Sequence, residues 1–452
     1  MLANSIKQLK LFSFGESAKD PNQVTFKDPA FACNKKIPLH RWVPWIAGFS
    51  SEFVRGALER HLSPKGVVID PFAGVGTSLV EAVAEGHDAI GFEINPYAAL
   101  ACRAKLSAFR VDHDQLQAAI LNLGEFNRDK VSNGYTPRSS PPLGFKTRGE
   151  FYSPKVLRKV LIIQDFIKSI KNDLVRDLFR LAFASTMVSY SNYSYEPSLG
   201  QRKSAGRDDV HDYPVAEVVL GKLREMAEDI AQVKSQRNGK APQYKIYNES
   251  FFGCTKKLPA GMADLIITSP PYLNNYHYNR NTRPHLYWLG YAKGPADMKP
   301  LEEENFGKFW QTVRDSKRID LDFKMGNSEI KQQIEALRRL NPDKGVYGGN
   351  GWANYAASYF NDCHRFAKCA RHVLKRGGTA LVVVGNSILQ GAMIPTDRYL
   401  GEIAESAGLR LVEIHIPRAT RVGNSIIQSN VRVEKAKKSH QLYEAVVELQ
   451  KK

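Results

Sequence analysis

The sequence predicts an α/β protein with a doubly wound, mostly parallel sheet that carries largely helical insertions. Three observations predict it. Short apolar runs alternate with helix-spaced patterns over 51–110, the order of a βαβ unit. The alternation stops there and returns after 245. A glycine turn joins the first strand to its helix, the place where open sheets of this kind bind ligands.

The elements follow in order. "SSEFVRGALERHL" spaces Phe53, Val54, Ala57, Leu58 and Leu62 along one helical face. "GVVIDPF" reads as a strand, "TSLVEAVAEG" as a helix closed by Gly86, "AIGFEI" as a strand and "NPYAALACRAKL" as a helix. Residues 111–245 read as a mostly helical insertion, with "SPKVLRKVLIIQDFIKSI" and "AEVVLGKLREMAEDIAQV" as its clearest helices. The strand pattern returns at "YKIYNESF" and "ADLIIT". An irregular second insertion covers 273–349. "ASYFNDCHRFAKCARHVL" then reads as a helix, "GTALVVVGN" as a strand, "TDRYLGEIAESAG" as a helix and "LRLVEIHI" as a strand. The organisation is therefore a lead-in at 1–37, one half of the core at 38–110, the other half at 246–272 and 350–430, and a basic C-terminal helix at 431–452.

With 452 residues, 43% of them hydrophobic, the chain has material for a large core. Lys and Arg outnumber Asp and Glu by 64 to 46, a formal charge of +18, which favours a polyanionic partner such as nucleic acid. Charge alone does not separate DNA from RNA. Five scattered cysteines fit a reducing cytoplasm and no disulfide framework. Cys363, His364, Cys369 and His372 share one amphipathic helix without a usual zinc spacing, so no metal site is expected. The stretch "MLANSIKQLKLFSF" lacks the apolar run and cleavage site of a signal peptide, and no apolar stretch is long enough to span a bilayer.

Two short stretches carry the chemistry. In "VVIDPFAGVGTSLVEA", Gly74 and Gly76 permit a tight turn and a close backbone approach to a ligand. Glu93 ends the next strand, where a carboxylate accepts hydrogen bonds from both hydroxyls of a ribose. Dinucleotides and S-adenosylmethionine (SAM) both satisfy that arrangement. The missing third glycine and Asp70 inside the turn favour SAM, whose methionine end is cationic.

The second stretch is "DLIITSPPYLNN". Pro270 and Pro271 form a stiff corner without N–H donors, and Ser269, preceding a proline, is held out of helical conformation. The corner presents carbonyls and a hydroxyl as acceptors, with the flat face of Tyr272 beside them. An exocyclic amino group on a base needs such acceptors, because its lone pair is delocalised until its hydrogens are held out of the ring plane. Positioning and electrostatics then supply most of the remaining work. The chain has no Pro-Cys dipeptide, the mark of methylation at a cytosine ring carbon. A base inside a duplex must be flipped out, and an aromatic face stabilises the flipped state.

"DPFAGVGT" and "TSPPY" resemble motifs I and IV of the SAM-dependent amino-methyltransferases of DNA. The resemblance covers the α/β core and not the insertions. It implies a seven-stranded Rossmann-like core, SAM as cofactor, double-stranded DNA as partner, and a bacterial cytoplasmic role in restriction-modification beside a cognate endonuclease. It also implies that Ser269, Pro270, Pro271 and Tyr272 are catalytic and that Asp70, Phe72, Gly74, Gly76, Thr77 and Glu93 hold the cofactor. "HRWVPWIAGFSSEFV" is similar to motif X and adds Pro44, Phe49 and Ser50, the last with an alternative as a helix N-cap. "YNESFF" stands where the family has an acidic pair for the adenine side and adds Glu249. Serine at 269 implies cytosine N4, whereas aspartate there would imply adenine N6. The cofactor half precedes the catalytic half, with an insertion between them that is a candidate for target recognition. Candidate DNA contacts are Arg202, Lys203 and Arg207 in the first insertion and Tyr276, Tyr278, Arg280 and Arg283 in the second. An RNA base methyltransferase remains an alternative.

Overall fold

The computed structural model describes residues 31–43, 45, 50–62, 64–195, 199–236, 242–274, 278–326, 329–420 and 442–452. The first elements are α1 (Ser51–His61), β1 (Val67–Asp70), α2 (Thr77–Ala84), β2 (Asp88–Phe92) and α3 (Pro96–Ser107). The first insertion holds α4 (His113–Ser132), α5 (Pro154–Ser169), α6 (Asp173–Thr186), a hairpin of β3 (Tyr193–Tyr195) and β4 (Leu199–Gln201), and α7 (Val215–Ser235). Then come β5 (Tyr244–Tyr247), β6 (Ala263–Thr268), α8 (Tyr278–Trp288), α9 (Lys299–Glu303), α10 (Trp310–Val313), α11 (Glu329–Arg338) and α12 (Gly349–Val373). The chain finishes with β7 (Leu374–Gly385), a small hairpin of β8 (Ser387–Leu389) and β9 (Ala392–Ile394), α13 (Thr396–Ser406), β10 (Leu409–Thr420) and β11 (Leu442–Lys451).

The main sheet has seven strands in the order β10-β11-β7-β6-β1-β2-β5. The five from β7 to β5 are parallel, and β11 pairs antiparallel with both β7 and β10. Alternation along the central strands builds a core on each face. Val68, Leu265, Ile267, Leu381 and Val383 face one layer. Ile69, Ile266, Ala380, Val382 and Val384 face the other. That two-sided burial explains why these strands read as continuous apolar runs.

The C-terminal segment differs from the sequence reading. Where 431–452 reads as a helix, Leu442–Lys451 is a strand, and 431–441 lie outside the described residues. The run "EAVVELQ" favours a helix by propensity. Pairing with a strand on either side, and burial of Ala445, Val446, Val447 and Leu449, override it.

The second insertion divides between the two layers. Leu286, Tyr287 and Trp288 of α8 join the core of the first insertion, and Tyr195 and Leu199 of its hairpin hydrogen-bond Asn281 of α8. Phe306, Trp310, Val313, Ile330, Ile334 and Leu337 instead pack with α12 on the opposite layer. The helix with the Cys/His group spreads its side chains apart. His364 stacks on Phe323 at 4.4 Å between centroids, and His372 bonds the Leu258 carbonyl at 3.1 Å. No helix among the described residues is long and apolar enough to cross a membrane.

Candidate active site

β1 delivers Asp70 to the carboxyl edge of the sheet, and the chain turns there into α2. Gly74 and Gly76 adopt φ of 51° and 85°, the left-handed region that strains any side chain. Their roles differ. A Cβ at Gly76 would lie 2.7 Å from Cys102 Sγ, so that glycine lets α2 pack on α3, and it does not line the cleft. A Cβ at Gly74 would lie 3.3 Å from Trp45 Nε1, on the cleft side.

Asp70 is buried. Its Oδ1 accepts from the Phe72 amide at 3.1 Å and from Thr268 Oγ1 at 2.7 Å, and its Oδ2 accepts from Ser78 Oγ at 2.7 Å. All three donors are neutral. Burial pushes its pKa up to about 6, with the hydrogen bonds from Thr268, Ser78 and Phe72 opposing the rise. Glu93 bridges two turns. Its Oε2 accepts from the Gly74 amide at 2.8 Å and its Oε1 from the Asn95 amide at 2.7 Å. Burial raises it to about 7, against those backbone bonds and with a small contribution from the charge of Asp70. Two desolvated carboxylates thus face one cleft.

β6 runs parallel beside β1 and ends at Thr268, so the Ser-Pro-Pro-Tyr corner starts next to Asp70. Tyr272 Oη donates to Glu444 Oε1 on β11 at 3.1 Å. The Tyr272 ring also fills the space beside Gly385 of β7, where a Cβ would come within 3.1 Å of it. The Ser-Pro-Pro-Tyr corner is therefore held by the two strands next along the sheet.

One cleft of about 1000 Å³, its solvent-open mouth included, is lined by Asp70, Phe72, Gly74, Thr77 and Glu93 from the first half, and by Ser269, Pro270, Pro271 and Tyr272 from the second. Besides Gly76, four of the expected cofactor residues fall elsewhere or beyond description. Ser50 is the N-cap of α1, accepting from the Phe53 amide at 3.1 Å, and does not line the cleft. Pro44 and Phe49 lie outside the described residues. Glu249 points away from the cleft to Lys257 at 3.2 Å, and the next residues, Ser250, Phe251 and Phe252, supply that wall instead.

Several lining residues escape sequence reasoning. Trp45 lies inside the stretch similar to motif X but is not among the positions that the resemblance implies. Asn95 is visible as a helix N-cap, and its Nδ2 also bonds Thr282 Oγ1 of α8 at 2.7 Å. Asn279, Glu304, Asn305 and Phe306 come from the second insertion, where no periodicity marks them. Phe306 meets Phe72 edge-on at 5.1 Å between centroids.

The basic stretches occupy neighbouring elements. Arg202 Nε donates to the Asp208 carbonyl at 2.9 Å, and Lys203 pairs with Asp209 at 2.6 Å. Arg207 closes the same turn through its amide on the Arg202 carbonyl. Arg280 and Arg283 lie on α8, which the β3–β4 hairpin contacts through Asn281, and Arg283 also bonds the Lys146 carbonyl at 3.1 Å. Tyr276 and the side chain of Tyr278 lie outside the described residues.

No protein-family model matches the chain. Comparison with characterised proteins finds relatives along most of its length. The chain is 25% identical over 434 residues to the Type II methyltransferase M.BsoBI of Geobacillus stearothermophilus, covering 88% of this chain and 83% of that protein. It is 26% identical to the Type II methyltransferase M.AvaI of Nostoc sp., with 91% and 87% covered, and 22% identical to M.MvaI of Kocuria varians, with 82% of each covered. The chain is a distant homologue of type II methyltransferases. A solved rRNA methyltransferase, aviRa from Streptomyces viridochromogenes, aligns with 66% of this chain and 90% of its own at 11% identity and a TM-score of 0.24, too low to bear on the reading.

Proposed function

We propose that this protein is a SAM-dependent DNA methyltransferase of a restriction-modification system, acting on the N4 amino group of a cytosine flipped out of duplex DNA. One observation carries the reading. The glycine turn with its two buried carboxylates and the Ser269, Pro270, Pro271, Tyr272 corner line a single cleft. The similarity to type II methyltransferases over most of the chain supports it.

Two features of the cleft fit SAM. Asp70 is a buried carboxylate with neutral hydrogen-bond donors and no cation paired to it among the described residues, which favours a cationic ligand. Gly74 leaves bare backbone beside Trp45, where a Cβ would crowd the indole. When bound, SAM supplies an electrophilic methyl group. Asp70 would hold its cationic methionine end and Glu93 its ribose hydroxyls, while Phe72, Thr77 and the wall around Phe252 would enclose the rest. Ser269 Oγ and the carbonyls of the corner would accept hydrogen bonds from the amino hydrogens, and Tyr272 would stack on the flipped ring. The choice of cytosine over adenine rests on the motif resemblance alone, through serine in place of aspartate at position 269. The same cleft with adenine N6 as target is the second reading.

Incubation with labelled SAM and duplex DNA or RNA, followed by nucleoside digestion and mass spectrometry, tests the proposal. N4-methylcytosine is the expected product. N6-methyladenine transfers the assignment to the other base, and label confined to RNA overturns the DNA reading.

A further inference from the structure

The first insertion reaches back to the cofactor cleft through one buried side chain. Asp229 lies in α7 with none of its surface exposed. Its carboxylate takes four bonds from the segment before α1: the Leu39 amide at 2.9 Å, Trp42 Nε1 at 2.8 Å, Arg41 Nε at 3.2 Å and Arg41 Nη2 at 2.5 Å. The same segment is pinned twice more. His40 Nε2 meets Glu81 Oε1 of α2 at 2.6 Å, and the Ser51 amide donates to the buried Asn34 Oδ1 at 3.0 Å.

The backbone of this segment is held in a conformation it would not choose. Leu39 has φ of 64°, in the left-handed region where a side chain is strained, and its amide is one of the groups that Asp229 binds. Trp42 and Val43 are buried in the core beside it. Two residues on, Trp45 lines the cleft at Gly74 and sits 6.3 Å from Tyr97 between ring centroids. Asp229 therefore fixes a segment that ends three positions before Trp45.

We infer that Asp229 is a positioning residue for the cofactor: by clamping residues 39–42 it sets Trp45 over the Gly74 turn, so the insertion between the two halves of the core controls cofactor affinity. This rests on the reading of the cleft as a SAM site. It makes the cofactor site incomplete without α7, although nothing in the sequence near residue 229 resembles a cofactor motif. Because coupling between sites is reciprocal, a ligand that changes SAM affinity through α7 has its own affinity changed by SAM by the same factor.

The test is a double-mutant cycle on SAM affinity, measured by equilibrium titration of the full chain, with kcat for DNA methylation followed in parallel. Trp45→Ala and Asp229→Asn are each expected to weaken SAM binding by about tenfold, within the usual range of coupling energies. At saturating SAM, kcat for Asp229→Asn should stay within about threefold of wild type, a split that a general loss of structure would not produce. The double variant should bind no worse than the weaker single one, since both changes abolish one placement. Arg41→Gln removes only the half-exposed partner and should show a smaller loss of the same sign, which keeps the test open if Asp229→Asn fails to fold. Independent, additive losses overturn the inference, as does an Asp229→Asn or Arg41→Gln protein with unchanged SAM affinity. A wild-type protein that binds no SAM overturns the function reading, and this inference with it.

Discussion

The strongest single test of the cleft is Asp70→Asn. The carboxylate is buried, and its rise from an ordinary 3.8 to about 6 means that ionisation costs the folded protein about 3 kcal/mol, at 1.36 kcal/mol for each pKa unit. The sign follows from the protons bound. Between pH 4 and 6 the folded state holds the Asp70 proton while the unfolded state has released it, so stability falls as pH rises through that window and is level above about 7. Asparagine has nearly the same shape and no proton to lose, and Ser78 and Thr268 can turn their hydroxyls to meet its amide. The fixed cost of the swap cancels when two pH values are compared. Urea unfolding of the ligand-free protein at pH 4.5 and pH 8 should show the stability of the variant relative to wild type improving by about 2 kcal/mol at the higher pH, the part of the penalty that develops over that interval. SAM affinity should move the other way and drop in the variant, because the cationic end loses its counter-charge. A stability difference constant to within about 0.5 kcal/mol across that range would refute the buried-carboxylate account.

Other outcomes follow from the same geometry. Ser269→Ala should lower kcat by roughly 10²-fold, the scale for removing one aligned polar group at a reacting centre, with SAM affinity unchanged by titration. Glu444→Gln weakens the hold on Tyr272 Oη without touching the cleft lining, so kcat should fall less than for Tyr272→Ala in the same methylation assay. SAM affinity of the wild type should weaken as pH falls from 8 to 5.5, because Glu93 near 7 and Asp70 near 6 take up protons and lose the charge that binds the cofactor; pH-independent titrations would contradict it. Gly76→Ala forces a side chain into the left-handed region and onto Cys102 Sγ, and thermal unfolding should register a loss of about 1–3 kcal/mol.

Much of the site was legible because its chemistry is local in sequence. A strand, a glycine turn and a helix follow one another from Val67 to Ala84, and the turn puts Asp70 and Gly74 at the cleft whatever the rest of the chain does. The Pro-Pro corner is equally local, since two fixed φ values and the end of a strand define it. Glu249 failed for the same reason that Ser250, Phe251 and Phe252 were missed: one step along a turn changes which side chain faces inward, and pattern does not fix that step. Ser50 shows a competition that the backbone won, because the free amides at the start of α1 take its hydroxyl. The C-terminal strand is not legible in the sequence because its residues favour a helix in isolation and become a strand only between two neighbours.

By itself the sequence determined the alternating core, the carboxylates at two strand ends and the acceptor corner, since each depends on contacts within a few residues. Tertiary structure alone decided that β6 pairs beside β1, which brings Asp70 and Ser269 from the two halves of the core to one cleft. It also decided that Glu444 steadies Tyr272, that Asp229 grips residues 39–42, and that Glu304, Asn305 and Phe306 close the far wall. Those contacts span long separations, and only the packing of the two layers on the sheet selects which distant residues meet.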